Sequence, residues 1–172
     1  MATKQDALAA EFYQNYIKLS PDENVLKAIR RNTKNFRRQL KRIPRKKIDY
    51  AYAEGKWTIK ELLQHVIDAE RVFSYRAITF ARKDTTPLPS FDENSWAANS
   101  MVAHRDWKDM VTEFKLLRAA NEMMFASFDD AQLRSIGTAS GKEINVLAIG
   151  YIISGHVEHH MNVLRERYLK KK

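Results

Sequence analysis

The apolar residues of this chain recur with the spacing of amphipathic helices. The clearest run follows Ser20-Pro21-Asp22-Glu23, where proline and acidic residues favour the first turn of a helix. Residues then recur at alternating four- and three-residue intervals, which is the seam of a helix packed in a bundle: Ile29, Thr33, Phe36, Leu40 and Ile43. Pro44 ends this first long helix.

A second long helix is predicted from about Ile59 to Arg82. Thr58 and Glu61 stand three residues apart at its start and have the pattern of a capping box. The broad inner side of this helix is apolar apart from one histidine and one arginine: Leu62, His65, Val66, Ala69, Val72, Phe73, Arg76 and Phe80. Both polar side chains are therefore expected to face a neighbouring helix.

Two further long helices complete the pattern. The third covers about Arg105 to Phe128, and Asn121 interrupts its apolar seam. We predict that Asn121 fixes register or forms a hydrogen bond; contact with a functional site is the alternative. The fourth covers about Ile144 to Leu169, and a segment around Asp6 to Lys18 has the pattern of a short helix or an arm.

The connecting segments are predicted to be loops. The segment from Thr85 to Asn94 contains Pro87 and Pro89, so it is not helical throughout, and a short helix follows around Trp96 to Met101. A glycine-containing loop is predicted from Asp129 to Lys142, and no segment shows the alternation of a strand. The sequence therefore predicts an all-α fold, a four-helix bundle with a short N-terminal helical segment. We expect one domain over residues 1–172, with its core at about 21–169.

Composition narrows the class of protein. Cysteine is absent, which excludes disulfides, thiolate metal sites and a cysteine nucleophile, and is consistent with a reducing compartment. The N-terminal residues lack the apolar centre of a signal peptide, and no run approaches the roughly 20 apolar residues of a membrane span. We predict a soluble cytoplasmic protein with no membrane partner.

The formal net charge of +9 raises the question of a nucleic-acid partner. Thirteen of the 30 Lys and Arg residues lie on the outer face of the first long helix, in the loop that follows and in the tail: Arg30, Arg31, Lys34, Arg37, Arg38, Lys41, Arg42, Arg45, Lys46, Lys47 and Lys170–Lys172. A basic helix face is usually solvated surface, and no nucleic-acid motif accompanies it. We predict no nucleic-acid partner.

Three of the five histidines fall within Gly155–His160, inside the fourth predicted helix. At 100° per residue, His156 and His160 point into one apolar stripe, one turn apart, while His159 lies at its polar margin. Two imidazoles aimed at a core require polar partners. A divalent metal supplies one partner for both, because neutral imidazole is a common metal ligand. Two core histidines bonded to side chains or water are the alternative.

His65, on the inner side of the second helix, is the predicted third ligand. Metal sites in bundles are assembled from facing helices, and three protein ligands leave a coordination position open for catalysis. His104 is expected to be exposed and is left out. His159 is either a residue that supports the ligands or a surface histidine.

Arg76 lies three turns beyond His65 on nearly the same face. A buried arginine needs an anionic partner. That partner is either a carboxylate of the substrate or an ion pair within the chain, with Glu70, Asp92 or Glu93.

The loop at 85–94 is interpreted in two ways: as part of the mouth of a site or as a connector that caps the next helix. On the first interpretation, Asp92 and Asn94 join Arg76 as candidate substrate-binding residues. Trp57, Trp96 and Trp107 are predicted to be core or loop anchors rather than surfaces that contact a substrate.

Several separated stretches also resemble one known family. Trp57-Thr58-Ile59-Lys60-Glu61-Leu62-Leu63-Gln64-His65 is followed by Glu70-Arg71-Val72-Phe73-Ser74-Tyr75-Arg76, by the loop Thr86-Pro87-Leu88-Pro89-Ser90-Phe91-Asp92-Glu93-Asn94 and by Gly155-His156-Val157-Glu158-His159-His160. In this order they resemble the DinB-like superfamily and its YfiT-related branch, over roughly Pro21 to Leu169.

The resemblance implies a four-helix bundle with a divalent metal held by one histidine of the second helix and an HxxxH pair of the fourth. Those positions are His65, His156 and His160, the same three that the helical wheel selects. Zinc or nickel is the predicted metal, although three imidazoles also suit iron, copper and manganese. Members of known activity include S-transferases and isomerases that use low-molecular-weight thiols such as bacillithiol or mycothiol.

The predicted function is a metal-dependent enzyme that acts on a small molecule. A metal ion with an open position can hold an external thiol as thiolate, and the family resemblance implies S-transfer with a thiol cosubstrate as the first hypothesis, although no residue of the sequence distinguishes it from hydrolysis. Water in the same position would give a hydrolase. A non-enzymatic metal-binding bundle is the third hypothesis. It could form a homodimer through an apolar face at Leu63 and Ile67, unless the N-terminal segment covers that face.

Overall fold

A computed structural model describes residues 2–170, so Lys171 and Lys172 of the basic tail lie outside the described residues. Seven α-helices occur in this part of the chain: α1 (Glu11–Leu19), α2 (Val25–Lys41), α3 (Ile59–Ala81), α4 (Glu93–Asn99), α5 (Trp107–Ala126), α6 (Asp130–Arg134) and α7 (Val146–Val163). Short 3-10 turns lie at Lys4–Asp6, Arg45–Lys47 and Val102–His104, and a π-helical turn at Leu164–Tyr168 extends α7. The long helices α2, α3, α5 and α7 form the bundle that the sequence predicts.

The starts of the long helices show how closely sequence signals locate them. The capping box before α3 is confirmed, because the Glu61 backbone N–H donates to Thr58 Oγ1 at 3.1 Å and Thr58 N–H donates to Glu61 Oε2 at 2.7 Å. The expected start of α2 next to Ser20 was too early. Asn24 caps that helix, since its Oδ1 accepts from Lys27 N–H at 3.0 Å.

Helix α7 lies at the centre of the molecule and packs against α1, α2 and α3. It is buried along most of its length because its first half, residues 146–153, is apolar on nearly every side. Helix α1 is the predicted N-terminal segment, and it packs across α7. No helix among residues 2–170 combines the length and apolar character needed to cross a bilayer.

Leu63 and Ile67 are fully buried inside the bundle. They belong to a core cluster that includes Phe36 of α2 and Phe114 of α5, whose rings meet edge to face at 5.1 Å. The hypothesis that these two residues offer a surface for a second copy of the chain was therefore wrong. The N-terminal segment does not cover them either, because it packs on α7.

A β-hairpin corrects the prediction that the chain contains no strand. Strands β1 (Ile136–Ala139) and β2 (Lys142–Asn145) pair antiparallel. The two-residue turn Ser140-Gly141 has positive φ at both positions, 54° and 72°, as a tight hairpin turn requires. The hairpin rests on α3, since a Cβ atom at Gly137 would lie only 2.1 Å from the Phe80 ring.

The hairpin also holds the loop that precedes α4. Leu88 N–H donates to the Thr138 carbonyl at 2.9 Å, and Ser140 N–H donates to the Leu88 carbonyl at 3.0 Å. The loop and the hairpin tip therefore form one hydrogen-bonded rim beside α3.

Candidate metal centre

The three predicted metal ligands meet where α3 packs against α7. His65 Nε2 lies 3.0 Å from His156 Nε2, and His160 Nε2 lies 3.1 Å from the same atom. One nitrogen from each ring lies within 4.8 Å of the other two. His156 and His160 are buried and His65 is partly buried. The helical spacing and the contact of the two helices thus bring the three rings together.

Burial keeps these imidazoles neutral at ordinary pH. Desolvation lowers the pKa of His65 to about 4 and lowers the pKa values of His156 and His160 well below their usual range. Repulsion from a charged neighbouring imidazole adds to the effect at His156. Neutral imidazole is the form that binds a metal ion.

The donor arrangement fits a cation better than a hydrogen-bonded cluster. His156 Nε2 lies between two other nitrogens, and a neutral imidazole nitrogen is either a donor or an acceptor. Hydrogen bonding therefore satisfies one of its two contacts, whereas a shared cation accepts all three lone pairs. His160 faces the other two rings through Nε2, while its Nδ1 atom is buried without a hydrogen-bond partner among residues 2–170. These residues can hold a divalent metal ion.

A cavity of about 290 Å³ opens above the three histidines. Its walls are largely aromatic and come from α1, α3 and the loops that precede α3 and α4: Phe12, Tyr13, Tyr16, Trp57, Phe73 and Phe91. Its polar lining residues are Arg76, Ser90, Glu93, Ser140 and His159. A ligand in this cavity would reach the three imidazoles directly.

Arg76 lines this cavity and forms no internal ion pair. Its Nη2 donates to the Pro89 carbonyl at 2.7 Å and to Ser140 Oγ at 3.1 Å. Within residues 2–170 no carboxylate lies within 4.0 Å of its guanidinium, so the predicted alternative of a pair with Glu70, Asp92 or Glu93 was wrong. Glu70 contacts Arg118 instead, with Arg118 Nε 2.8 Å from Oε1.

The structure places Asp92 and Asn94 beside the cavity rather than in its lining. Asp92 caps α4, because its Oδ1 accepts from the backbone N–H groups of Asn94 and Ser95 at 2.9 and 3.0 Å. Asn94 is exposed in the first turn of α4. Their neighbours Ser90 and Glu93 line the cavity, so the loop serves both as a rim of the cavity and as a helix cap.

The remaining histidines lie as follows. His104 is exposed, as expected. His159 is also exposed, yet it lines the cavity, and its ring lies 5.8 Å from Tyr16 and 5.1 Å from His160. His159 is thus a surface residue at the rim of the site.

Several residues of this site were not predicted from the sequence. Trp57, expected to be only an anchor, packs with its ring centroid 4.8 Å from that of His65. The aromatic residues of α1 could not be assigned to the site from the sequence, because the spacing of residues within α1 does not predict which helix α1 packs against. One signal was available: Gly155, next to His156, removes the side chain where another backbone approaches.

Arg118 was also missed. It is fully buried on α5, contacts Glu70 on α3 and donates through Nη2 to the Ile153 carbonyl of α7 at 2.9 Å. Asn121 Nδ2 donates to Glu70 Oε1 at 2.8 Å, which confirms a hydrogen-bonding role for Asn121. This network joins three helices one turn before His156.

Comparison with known proteins agrees with this architecture. The sequence pattern of the DinB superfamily matches residues 28–164. A candidate metal-dependent hydrolase of Oceanobacillus iheyensis is 26% identical over 141 residues, and the match covers 79% of each protein. The fold is similar to that of YfiT from Bacillus subtilis, described as a probable metal-dependent hydrolase with an unusual four-helix bundle topology. That match has a TM-score of 0.68 and 16% sequence identity, and it covers 92% of this chain and 89% of YfiT. Since the superfamily pattern spans most of the sequence, this chain belongs to the DinB superfamily.

Proposed function

We propose that this protein is a divalent-metal-dependent enzyme that transfers an external low-molecular-weight thiol to a small electrophile. The observation that carries the proposal is the position of the three converging Nε2 atoms at the base of an accessible cavity. Three protein ligands leave at least one coordination position, which is typical of catalytic rather than structural sites. Zinc or nickel suits three neutral imidazoles. A metal ion bound there supplies a lowered thiol pKa and so a nucleophile near neutral pH.

The residues of the chain account for the rest of the proposed reaction. The chain has no cysteine, so the attacking sulfur belongs to the cosubstrate. In the transfer, sulfur forms a bond to an electrophilic carbon, the bond from that carbon to the leaving group breaks, and the leaving group takes the electron pair. The thiol proton passes to solvent at the open cavity mouth. Tyr16, Trp57 and Phe73 exclude bulk water from the walls and offer ring edges to sulfur.

Hydrolysis is the second candidate. The descriptions of both similar proteins as metal-dependent hydrolases favour it. The same site would then activate water instead of a thiol, and the bond to the leaving group would be cleaved by an oxygen nucleophile. The two candidates share the metal site and differ in the nucleophile that enters the cavity.

The first test is the metal content of untagged protein purified without chelator. We expect near-stoichiometric divalent metal in the wild type and loss of it in His160→Ala with the helical circular dichroism retained. The exposed His104→Ala is the matched control and should keep its metal. Absence of metal from both wild type and control would remove the enzyme proposal together with the site.

The second test compares nucleophiles on the metal-loaded protein. Transfer predicts consumption of 1-chloro-2,4-dinitrobenzene that requires bacillithiol or a related thiol and is lost in His160→Ala. Hydrolysis predicts cleavage of an activated ester without any thiol, with the same loss in the variant. Thiol-independent turnover alone would reject the transferase in favour of the hydrolase.

A further inference from the structure

We infer that the substrate or cosubstrate of this site carries a carboxylate, and that Arg76 binds it at the end of the cavity away from the histidines. The inference rests on the proposed function, because it concerns the same cavity. One face of α3 lines the cavity along its length. His65, Ala69, Phe73 and Arg76 follow one another at four-, four- and three-residue intervals, and all four line the cavity. The cavity thus runs along α3, with the metal ligand at one end and the arginine at the other.

Arg76 is a buried cation without a counter-charge. The residue is 2% exposed, and both of its hydrogen bonds run through Nη2 to neutral oxygens, the Pro89 carbonyl and Ser140 Oγ. Its Nε and Nη1 atoms have no hydrogen-bond acceptor within residues 2–170. A desolvated charge left in this state is unfavourable, and a bidentate carboxylate is the partner that matches the guanidinium fork.

The acidic residue that shares the cavity lies elsewhere. Glu93 also lines the cavity, but it is exposed at the rim, and no carboxylate within residues 2–170 comes within 4.0 Å of Arg76. Among the described residues that line the cavity, Arg76 is the only arginine or lysine, and Glu93 adds a negative charge at the rim. A ligand with a single negative charge next to Arg76 therefore fits this cavity better than a ligand with several.

The spacing along α3 sets the length of the ligand. Eleven residues separate His65 from Arg76, which is about 16 Å along a helix axis. Helical side chains lean toward the N-terminus, so the guanidinium is shifted toward the histidines. The carboxylate and the reacting atom are then on the order of 10 Å apart. The aromatic side chain of Phe73 lies between them, which requires an apolar middle section.

The test uses thiols as probes of both ends of the cavity. Cobalt-substituted protein reports thiol binding by its sulfur-to-cobalt absorption, and a thiol coordinates the metal whether the enzyme is a transferase or a hydrolase. We expect ω-mercaptohexanoate to bind at least tenfold more tightly than ω-mercaptohexanol. The preference should fall for ω-mercaptopropanoate, whose chain is too short to reach Arg76 from the metal. An equal affinity of acid and alcohol in the wild type would overturn the inference.

Variants assign the preference to its residue. In Arg76→Met the acid and the alcohol should bind alike, while the exposed Arg82→Met, which removes the same charge from the end of the helix, should keep the preference. Ser140→Ala removes one of the two anchors of the guanidinium and should lower the preference several-fold without removing it. Because the acid-to-alcohol ratio is measured first in the wild type, misfolding of a variant leaves the inference testable.

Two further outcomes separate the hypotheses. If ω-mercaptohexylphosphonate binds more tightly than the carboxylate, the carboxylate assignment is wrong. If cobalt does not bind at all, the proposed function fails. Cobalt binding with thiol coordination but no preference for acids keeps the proposed function and rejects the carboxylate subsite alone.

Discussion

The backbone of Gly155 on α7 lies directly against the carbonyl group of Tyr16 on α1. A Cβ atom at position 155 would be 1.8 Å from the Tyr16 oxygen, a separation that no side chain can adopt. This close approach places the N-terminal arm against the residue that precedes His156, one of the three candidate metal ligands. The arm also supplies Phe12 and Tyr13 to the cavity wall, so a glycine on the central helix determines where an aromatic part of the site lies.

The first prediction is that Gly155→Ala displaces α1. The alanine methyl group clashes with backbone, which cannot move aside as a side chain can, and overpacking of this kind costs about 1–3 kcal/mol. We expect faster hydrogen exchange of the amides at 11–19 and a weaker binding of the thiol probes.

Gly150→Ala is the matched control for this change. Its added Cβ would meet side-chain atoms of Val25 and Phe125, at 2.5 and 2.8 Å, and not α1. It should destabilise the bundle while the exchange of α1 stays slow relative to global unfolding. Equal exchange of α1 in both variants would show that the contact with Tyr16 does not seat the arm.

The second prediction concerns the buried ion pair of Glu70 and Arg118. Burial alone raises the pKa of Glu70 and lowers the pKa of Arg118, so each partner depends on the other to remain charged. Removal of one partner leaves a buried charge unpaired, which costs about 3–5 kcal/mol. We expect Glu70→Leu to lower the free energy of unfolding in urea by that amount.

The double variant with Glu70→Leu and Arg118→Met tests the cause. It should recover part of the loss, because it removes both charges, although the Arg118 bond to the Ile153 carbonyl also disappears. If the double variant loses more free energy of unfolding than the two single variants lose together, this account is contradicted.

The parts of the fold that the sequence predicted depend on local periodicity. The 3.6-residue repeat placed His156 and His160 on one face, and the same repeat turned His65 toward them from α3. The hairpin was missed because its four-residue strands are too short to show alternation, even though Ser140-Gly141 has the composition of a turn.

Other features depend on contacts between distant segments, which periodicity does not encode. The ion pair of Arg118 with Glu70 joins α5 and α3, which are separated in the sequence by α4 and the segments on either side of it. The position of α1 depends on Gly155. The sequence does not show that the backbone of Tyr16 packs against this glycine. The neutral hydrogen-bond partners of Arg76 likewise come from a loop and a hairpin tip.

The third prediction is a pH dependence of the N-terminal arm. Arg134 Nη1 donates to Asp6 Oδ1 at 2.6 Å, and this hydrogen bond, together with the Thr3 backbone N–H, lowers the pKa of Asp6 from 3.8 to about 2. The folded pKa lies below the unfolded one, so the stabilising contribution is present above about pH 4 and is lost as the pH falls toward 2. Below that range we expect the contact between the arm and α6 to open.

An NMR titration of the Asp6 carboxyl group measures this directly. It should titrate near pH 2 in the wild type and at a higher pH in Arg134→Gln, still below 3.8 because the Thr3 N–H bond remains, while the exposed Arg82→Gln leaves it unchanged. A wild-type carboxyl that titrates near 3.8 would show that the pair with Arg134 does not hold the arm.

The last prediction separates a catalytic metal site from a structural one by removal of the metal. The two core clusters contain the buried apolar residues of all four long helices, so the bundle should stay folded without metal. A metal at about 100 times its dissociation constant adds about 2.7 kcal/mol of stability, which is roughly 5–10 °C in Tm for a chain of this size. We expect chelation to lower Tm of the wild type by about that amount and to leave Tm of His160→Ala unchanged. Loss of helical circular dichroism at room temperature on chelation would instead identify a structural site, since the metal would then be required for the fold itself.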